Sequence, residues 1–187
     1  MKMWTVLSLL LIMGLSAGAA QITLVADTWC PYNCEPNSEL PGFMVEAATM
    51  ILGAAGHEVK YLLSDDWEQA VADVEAGKFN GCIGADPTDN QNLLFPDEDM
   101  GVSQNRIYVR KGDPWRYTGP ASLEGTKVVV LTGYTYGDDV DAWLSANALY
   151  VDTLEQAVEA LLGEKADILF ENEYVMSMFT MMNNIPH

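Results

Sequence analysis

Four short stretches of this 187-residue chain carry side chains able to hold or transform a small molecule. The first, 27–32, contains Asp27, Trp29 and Tyr32, an anionic group beside two aromatic rings. The second, 86–88, offers Asp86 and Thr88, and the third, 133–136, sets Thr135 between Tyr134 and Tyr136. The fourth is Glu171-Asn172-Glu173. Rings supply stacking area while hydroxyls, amides and carboxylates fix a polar edge, so the set favours recognition of a small polar solute. Acid–base catalysis is the rival chemistry, with Asp86 or Glu171 as the proton carrier. It needs a positioned partner, and neither histidine, His57 or His187, falls in any of the four stretches. No catalytic residue is therefore assigned.

Each candidate also has a structural reading. Trp29 and Tyr32 can cap a core, Asp27 can close a turn, and Tyr134 and Tyr136 can pack on neighbouring helices. Glu171 and Glu173 read as solvated in so acidic a chain, and Trp67 and Trp143 fall on apolar helical faces and read as core. Cys30 and Cys34 flank a turn-rich tripeptide and are the expected disulfide pair in an oxidising compartment, while Cys82 sits in an apolar strand. Three cysteines and two distant histidines give no metal-ligand spacing, so no metal and no cofactor are expected.

The elements that must position these side chains form two related halves. A buried strand at 22–26 leads to the first stretch; Pro41-Gly42 opens a helix to about Leu52, and a strand follows at 58–63. Ser64 and Asp65 are the expected caps of the next helix, which Gly77 ends before an apolar strand at 79–85. The second half repeats the order: strand 127–131, a glycine-flanked turn, a helix through Trp143, another helix, and strand 166–170. The tetrapeptide EQAV occurs at 68–71 and again at 155–158, each time before a helix-ending glycine and a strand. That parallel order indicates duplication. Strand–helix alternation predicts parallel sheets covered by helices, with ligands gathering at the strand carboxyl ends. All four candidate stretches lie there. An extended run at 101–110 is expected to cross between the halves.

Composition narrows the functional classes. With 27 acidic residues against 9 basic ones, the formal charge is −18, which opposes binding to phosphate backbones or anionic membranes. Nucleic acid is excluded as a partner. Residues 1–20 read as a cleavable signal peptide: Lys2, an apolar run from Trp4 to Leu15, then Ala17-Gly18-Ala19-Ala20. The remainder is expected to be exported.

The order of these motifs resembles the family 3 extracellular solute-binding proteins, the amino-acid receptors of ABC transporters. The resemblance runs over 22–176: the Asp27, Trp29 and Pro31-Tyr32 loop, Gly42-Phe43 opening a helix with Glu46, and Trp67 ahead of the first Gly-Lys-Phe strand. It continues through Ser122-Leu123-Glu124-Gly125 before KVVVL, the Gly133 and Thr135 turn, and the block 151–170. It implies a two-lobed α/β, type II periplasmic-binding-protein-like fold, each lobe a mainly parallel sheet flanked by helices. The corresponding segments are lobe 1 at 21–103, a hinge crossover strand at 104–112, and lobe 2 at 113–187. The family continues beyond the last strand through a return crossover, so the second lobe here reads as incomplete and the sequence as a fragment.

The resemblance implies a ligand set of Asp27, Trp29, Tyr32, Asp86, Thr88, Tyr134, Thr135 and Asn172, with Thr135 and its helix N-terminus receiving a carboxylate. Three positions depart from the pattern. No arginine occurs from 84 to 105, where the family holds the ligand carboxylate; Asn172 replaces the acid that binds the amino group; and Met44 replaces a helix acid. The expected function is capture of a small polar solute, an amino acid or related metabolite, by a monomeric periplasmic protein serving an ABC-transporter permease. A dehydratase-like enzyme or a ligand-sensing module on the same scaffold are the alternatives.

Overall fold

Apolar β-branched runs form the strands, and glycines and polar caps delimit the helices, in a computed structural model that describes residues 18–185. The signal segment expected over 1–20 lies outside these residues except for its last three. Strand β1 (Gln21–Ala26) is followed by α1 (Phe43–Ala54), β2 (Glu58–Leu63), α2 (Trp67–Glu75) and a short β3 (Gly81–Cys82). These strands make one parallel sheet in the order β2-β1-β3. Residues 83–104 carry no helix or strand and lead into β4 (Asn105–Val109). After a 3-10 turn at Pro120–Leu123 come β5 (Val128–Leu131), α3 (Asp138–Asn147), β6 (Leu149–Val151), α4 (Leu154–Leu162), β7 (Ile168–Asn172) and α5 (Glu173–Met182). The second sheet has the order β4-β7-β5-β6, with β4 antiparallel to β7 and the other pairs parallel.

Every residue of β5 and β7 is buried, because helices cover both faces of the second sheet. One cluster joins Val129, Leu161, Leu169 and Met176; another joins Val128, Val130, Leu144 and Phe170. In the first sheet Leu24 and Ala26 pack against Val45 and Ala48 of α1. Within the extended run at 101–110, residues 105–109 form β4, a member of the second sheet paired along its whole length with β7, and residues 83–104 make the connection from the first sheet.

The repeated tetrapeptide occupies the same place in two nine-residue helices. Gln69 N donates to Asp66 Oδ1 at 2.7 Å at the start of α2, and Gln156 N donates to Thr153 Oγ1 at 3.3 Å at the start of α4. The cap of α2 is thus Asp66, not Ser64 or Asp65; Ser64 instead binds Asp66 through its hydroxyl, donating to Asp66 O at 2.7 Å. The third strand is shorter than the 79–85 expected. The Asn80 side chain takes the Thr23 amide and hydroxyl at one end, and Gly84, at φ +95°, turns the chain away at the other.

Candidate ligand cleft

The carboxyl ends of β1 and β5 aim two loops at one cavity of about 640 Å³. From the first sheet's side it is lined by Asp27, Trp29, Asn33, Trp67, Gly84 and Asp86, and from the second sheet's side by Asn105, Gly133, Tyr134, Thr135 and Asn172. Six of the eight residues expected at the site, Asp27, Trp29, Asp86, Tyr134, Thr135 and Asn172, therefore converge. Tyr32 and Thr88 do not line this cavity.

The first loop is folded tightly. Cys30 and Cys34 are joined in a disulfide, Trp29 N donates to Asn33 O at 2.7 Å, and the Asn33 Nδ2 donates to Asp27 O at 2.6 Å. Trp29 and Tyr32 stack with ring centroids 4.0 Å apart and planes 11° from parallel. Tyr32, 1% exposed, lies behind Trp29 and reaches across to the second sheet. Its hydroxyl receives a hydrogen bond from Asn172 Nδ2 at 3.0 Å. The loop also leaves two buried polar atoms without a hydrogen-bond partner, Trp29 Nε1 and Asn33 Oδ1.

The 86–88 stretch makes its own turn. Asp86 accepts from Thr88 N at 2.6 Å and from the Thr88 hydroxyl at 2.5 Å, so Thr88 serves Asp86 and sits off the cleft. Asp89 accepts from Asp86 N at 2.8 Å and from Trp67 Nε1 at 3.1 Å. Trp67 thus packs on the first core, as expected, and also lines the cleft. Sequence reasoning missed Asn33, Glu68, Glu75 and Asp89. Asn33 stands between two cysteines destined to pair, which was the available signal; Glu68 and Glu75 share the α2 face that carries Val71.

On the second side, Asn105 Nδ2 donates to Thr135 O at 3.3 Å, tying the turn to β4. Helix α3 begins beyond Gly137, and the two amides just ahead of it are engaged by Asp141. Tyr136 N donates to Asp141 Oδ1 at 2.9 Å, and Gly137 N to Asp141 Oδ2 at 3.1 Å. The chain's own carboxylate thus occupies two amides next to Thr135, which the resemblance assigns to a ligand carboxylate. Tyr136 turns inward, its hydroxyl accepting from Leu131 N at 3.1 Å, whereas Tyr134 stays 39% exposed at the cleft.

Burial governs the electrostatics. It pushes the Asp27 carboxyl up, its own backbone N–H opposes the rise, and the Asp66 charge adds to it. The Tyr134 phenol is pushed up to about 12, by burial first and then by Glu171 and Asp27. Glu171 corrects the expectation of a solvated side chain: it is 0% exposed on the fully buried β7. Its Oε1 accepts from Asn172 N at 2.6 Å while Oε2 has no partner, and burial raises the carboxyl to about 7. Glu173 meets the solvated expectation more nearly, in a 2.8 Å ion pair with Arg106 at the rim. No group of side chains able to hold a metal ion occurs among the described residues.

No family model and no curated protein matches the chain. Solved structures do. An ancestral arginine-binding protein bound to arginine superposes with a TM-score of 0.66 at 20% identity, covering 89% of this chain and 76% of its own. The L-cystine solute receptor of Neisseria gonorrhoeae, in its unliganded open conformation, gives 0.60 at 20% identity, over 89% and 71%. The ancestral amino acid-binding protein AncCDT-1, a precursor of cyclohexadienyl dehydratase, gives 0.63 at 16% identity, over 87% and 74%. At such identities the likeness establishes architecture, and the chain has the α/β fold of the periplasmic solute receptors, with parallel sheets flanked by helices.

Proposed function

We propose that this protein is a solute receptor that captures a small polar molecule, an amino acid or related metabolite, in the cleft between its two sheets. The observation that carries the reading is the convergence of strand-end loops from both sheets, Asp27 and Trp29 from one and Tyr134 and Thr135 from the other, on one cavity. Such a cavity at strand carboxyl ends is where open α/β sheets place their ligands. Trp29 lies against the solute, Asp86 and Thr135 bond its polar edge, and closure proceeds by bending at the segment that leads into β4. After export to the periplasm, the closed monomer presents its cargo to the permease of an ABC transporter.

A thermal-shift panel of amino acids and metabolites tests this. At least one compound should raise the melting temperature, and the double variant Trp29→Ala with Thr135→Val should abolish that rise. Stabilisation that survives both substitutions would place the ligand elsewhere.

One observation favours a second, enzymatic reading: Asp86, a carboxylate, lines the cavity. A lyase on this scaffold would use it as acid or base. Mass spectrometry of the bound ligand after prolonged incubation separates the two, since a receptor returns it unchanged.

A further inference from the structure

Resting on the reading of the cleft as a solute site, we propose that its ligand is an organic cation without a carboxylate, an amine of the di- or polyamine or decarboxylated amino-acid class. Four independent features point the same way. First, the amides of Tyr136 and Gly137, just ahead of α3, are taken by Asp141 at 2.9 and 3.1 Å, which removes two donors beside Thr135 that a ligand carboxylate could otherwise use. Second, five acids and no lysine or arginine line the cavity among the described residues. A carboxylate entering it gains no charge-assisted partner and meets like charge, whereas an ammonium gains both field and hydrogen-bond acceptors.

Third, Asn33 is 1% exposed, lines the cavity, and has a carbonyl oxygen without a partner in hydrogen-bond geometry, the Tyr61 hydroxyl beside its side chain being likewise unpaired. A buried orphan acceptor is costly unless a donor arrives, and an ammonium or guanidinium is donor only. Trp29 Nε1, also unpartnered, is the one buried donor of that loop and is neutral, which is a weak match for a carboxylate. Fourth, the rings of Trp29, Trp67 and Tyr134 line the same space, and aromatic rings attract cations through their quadrupoles.

Calorimetric titration of the purified protein with two matched pairs, agmatine against arginine and cadaverine against lysine, tests the proposal, because the members of each pair differ only by a carboxylate. The amine of at least one pair should bind at least tenfold more tightly than its amino acid, and its affinity should fall steeply with added salt. The exposed Glu68→Gln variant, which disturbs no hydrogen bond described above, should weaken the amine several-fold, as should Asp27→Asn. If arginine, lysine, or a neutral or anionic amino acid binds as tightly as the amines, and Trp29→Ala abolishes that binding, the cation proposal is overturned while the solute-receptor reading stands. If neither these four probes nor the wider metabolite panel binds, both are overturned.

Discussion

Tyr32 and Asn172, 140 residues apart, join the two sheets through buried side chains: Asn172 Nδ2 donates to the Tyr32 hydroxyl at 3.0 Å. The same amide nitrogen donates to Ser103 Oγ at 3.0 Å, and Asn172 Oδ1 caps α5 by accepting from Tyr174 N at 2.9 Å and Val175 N at 3.2 Å. One asparagine thus starts a helix, anchors the connecting segment and holds the tyrosine beneath the cleft loop. Tyr32→Phe should cost about 1–2 kcal/mol in urea unfolding, the usual loss for one buried hydrogen bond. Asn172→Ala should cost roughly 1 kcal/mol more because it also removes the cap. Equal midpoints for wild type and Tyr32→Phe would show that the contact contributes nothing.

Glu171 sets a pH dependence of stability. Its folded value, about 7, lies above the ordinary 4.5, so the folded state binds the proton more tightly than the unfolded chain does. The stabilisation is complete below about 4.5 and is lost as pH rises through about 7. Glu171→Gln keeps the acceptor for Asn172 N and removes the titration. At pH 8 it should be more stable than wild type by up to roughly 3 kcal/mol, with little difference at pH 4. Chemical denaturation at the two pH values measures this, and a variant less stable at pH 8 refutes the assignment.

Gly42 is required by both torsion and space. Its φ is +108°, and a Cβ there would lie 2.7 Å from Asn33 Cα, inside the backbone of the cleft loop. Gly42→Ala should destabilise by about 2–4 kcal/mol and displace Trp29. Thermal melts, with tryptophan fluorescence reporting on the indole, check both parts.

The two equivalent caps give a matched pair of substitutions. Asp66→Ala and Thr153→Ala should each cost about 1 kcal/mol, the former slightly more because its 2.7 Å bond is shorter than the 3.3 Å bond of Thr153 and is charge-assisted. Helix-resolved hydrogen exchange should show fraying confined to α2 in one variant and α4 in the other.

Much of this architecture was legible in residue patterns because it depends on local signals. The runs at 128–131 and 168–170 are apolar at every position, as strands covered on both faces must be, and both are central in the second sheet. The EQAV repeat located α2 and α4. What was not legible depends on partners distant in sequence. Glu171 looked like one more surface acid, since nothing near it in the chain shows that β7 lies between β4 and β5 with helices on both sides. Asp141 drew no reading from the sequence, and only the folded turn shows its two oxygens closing the amides of Tyr136 and Gly137. Tyr32 was legible as important but not as a link between sheets, because its partner enters from β7.

The passage from Ile83 to Gln104, which lacks regular structure, is the single covalent link between the two sheets among the described residues. On the solute-receptor reading, the angle between the sheets depends on bridging contacts such as Tyr32 to Asn172, and a guest that touches both sheets would shift the balance toward a shut form.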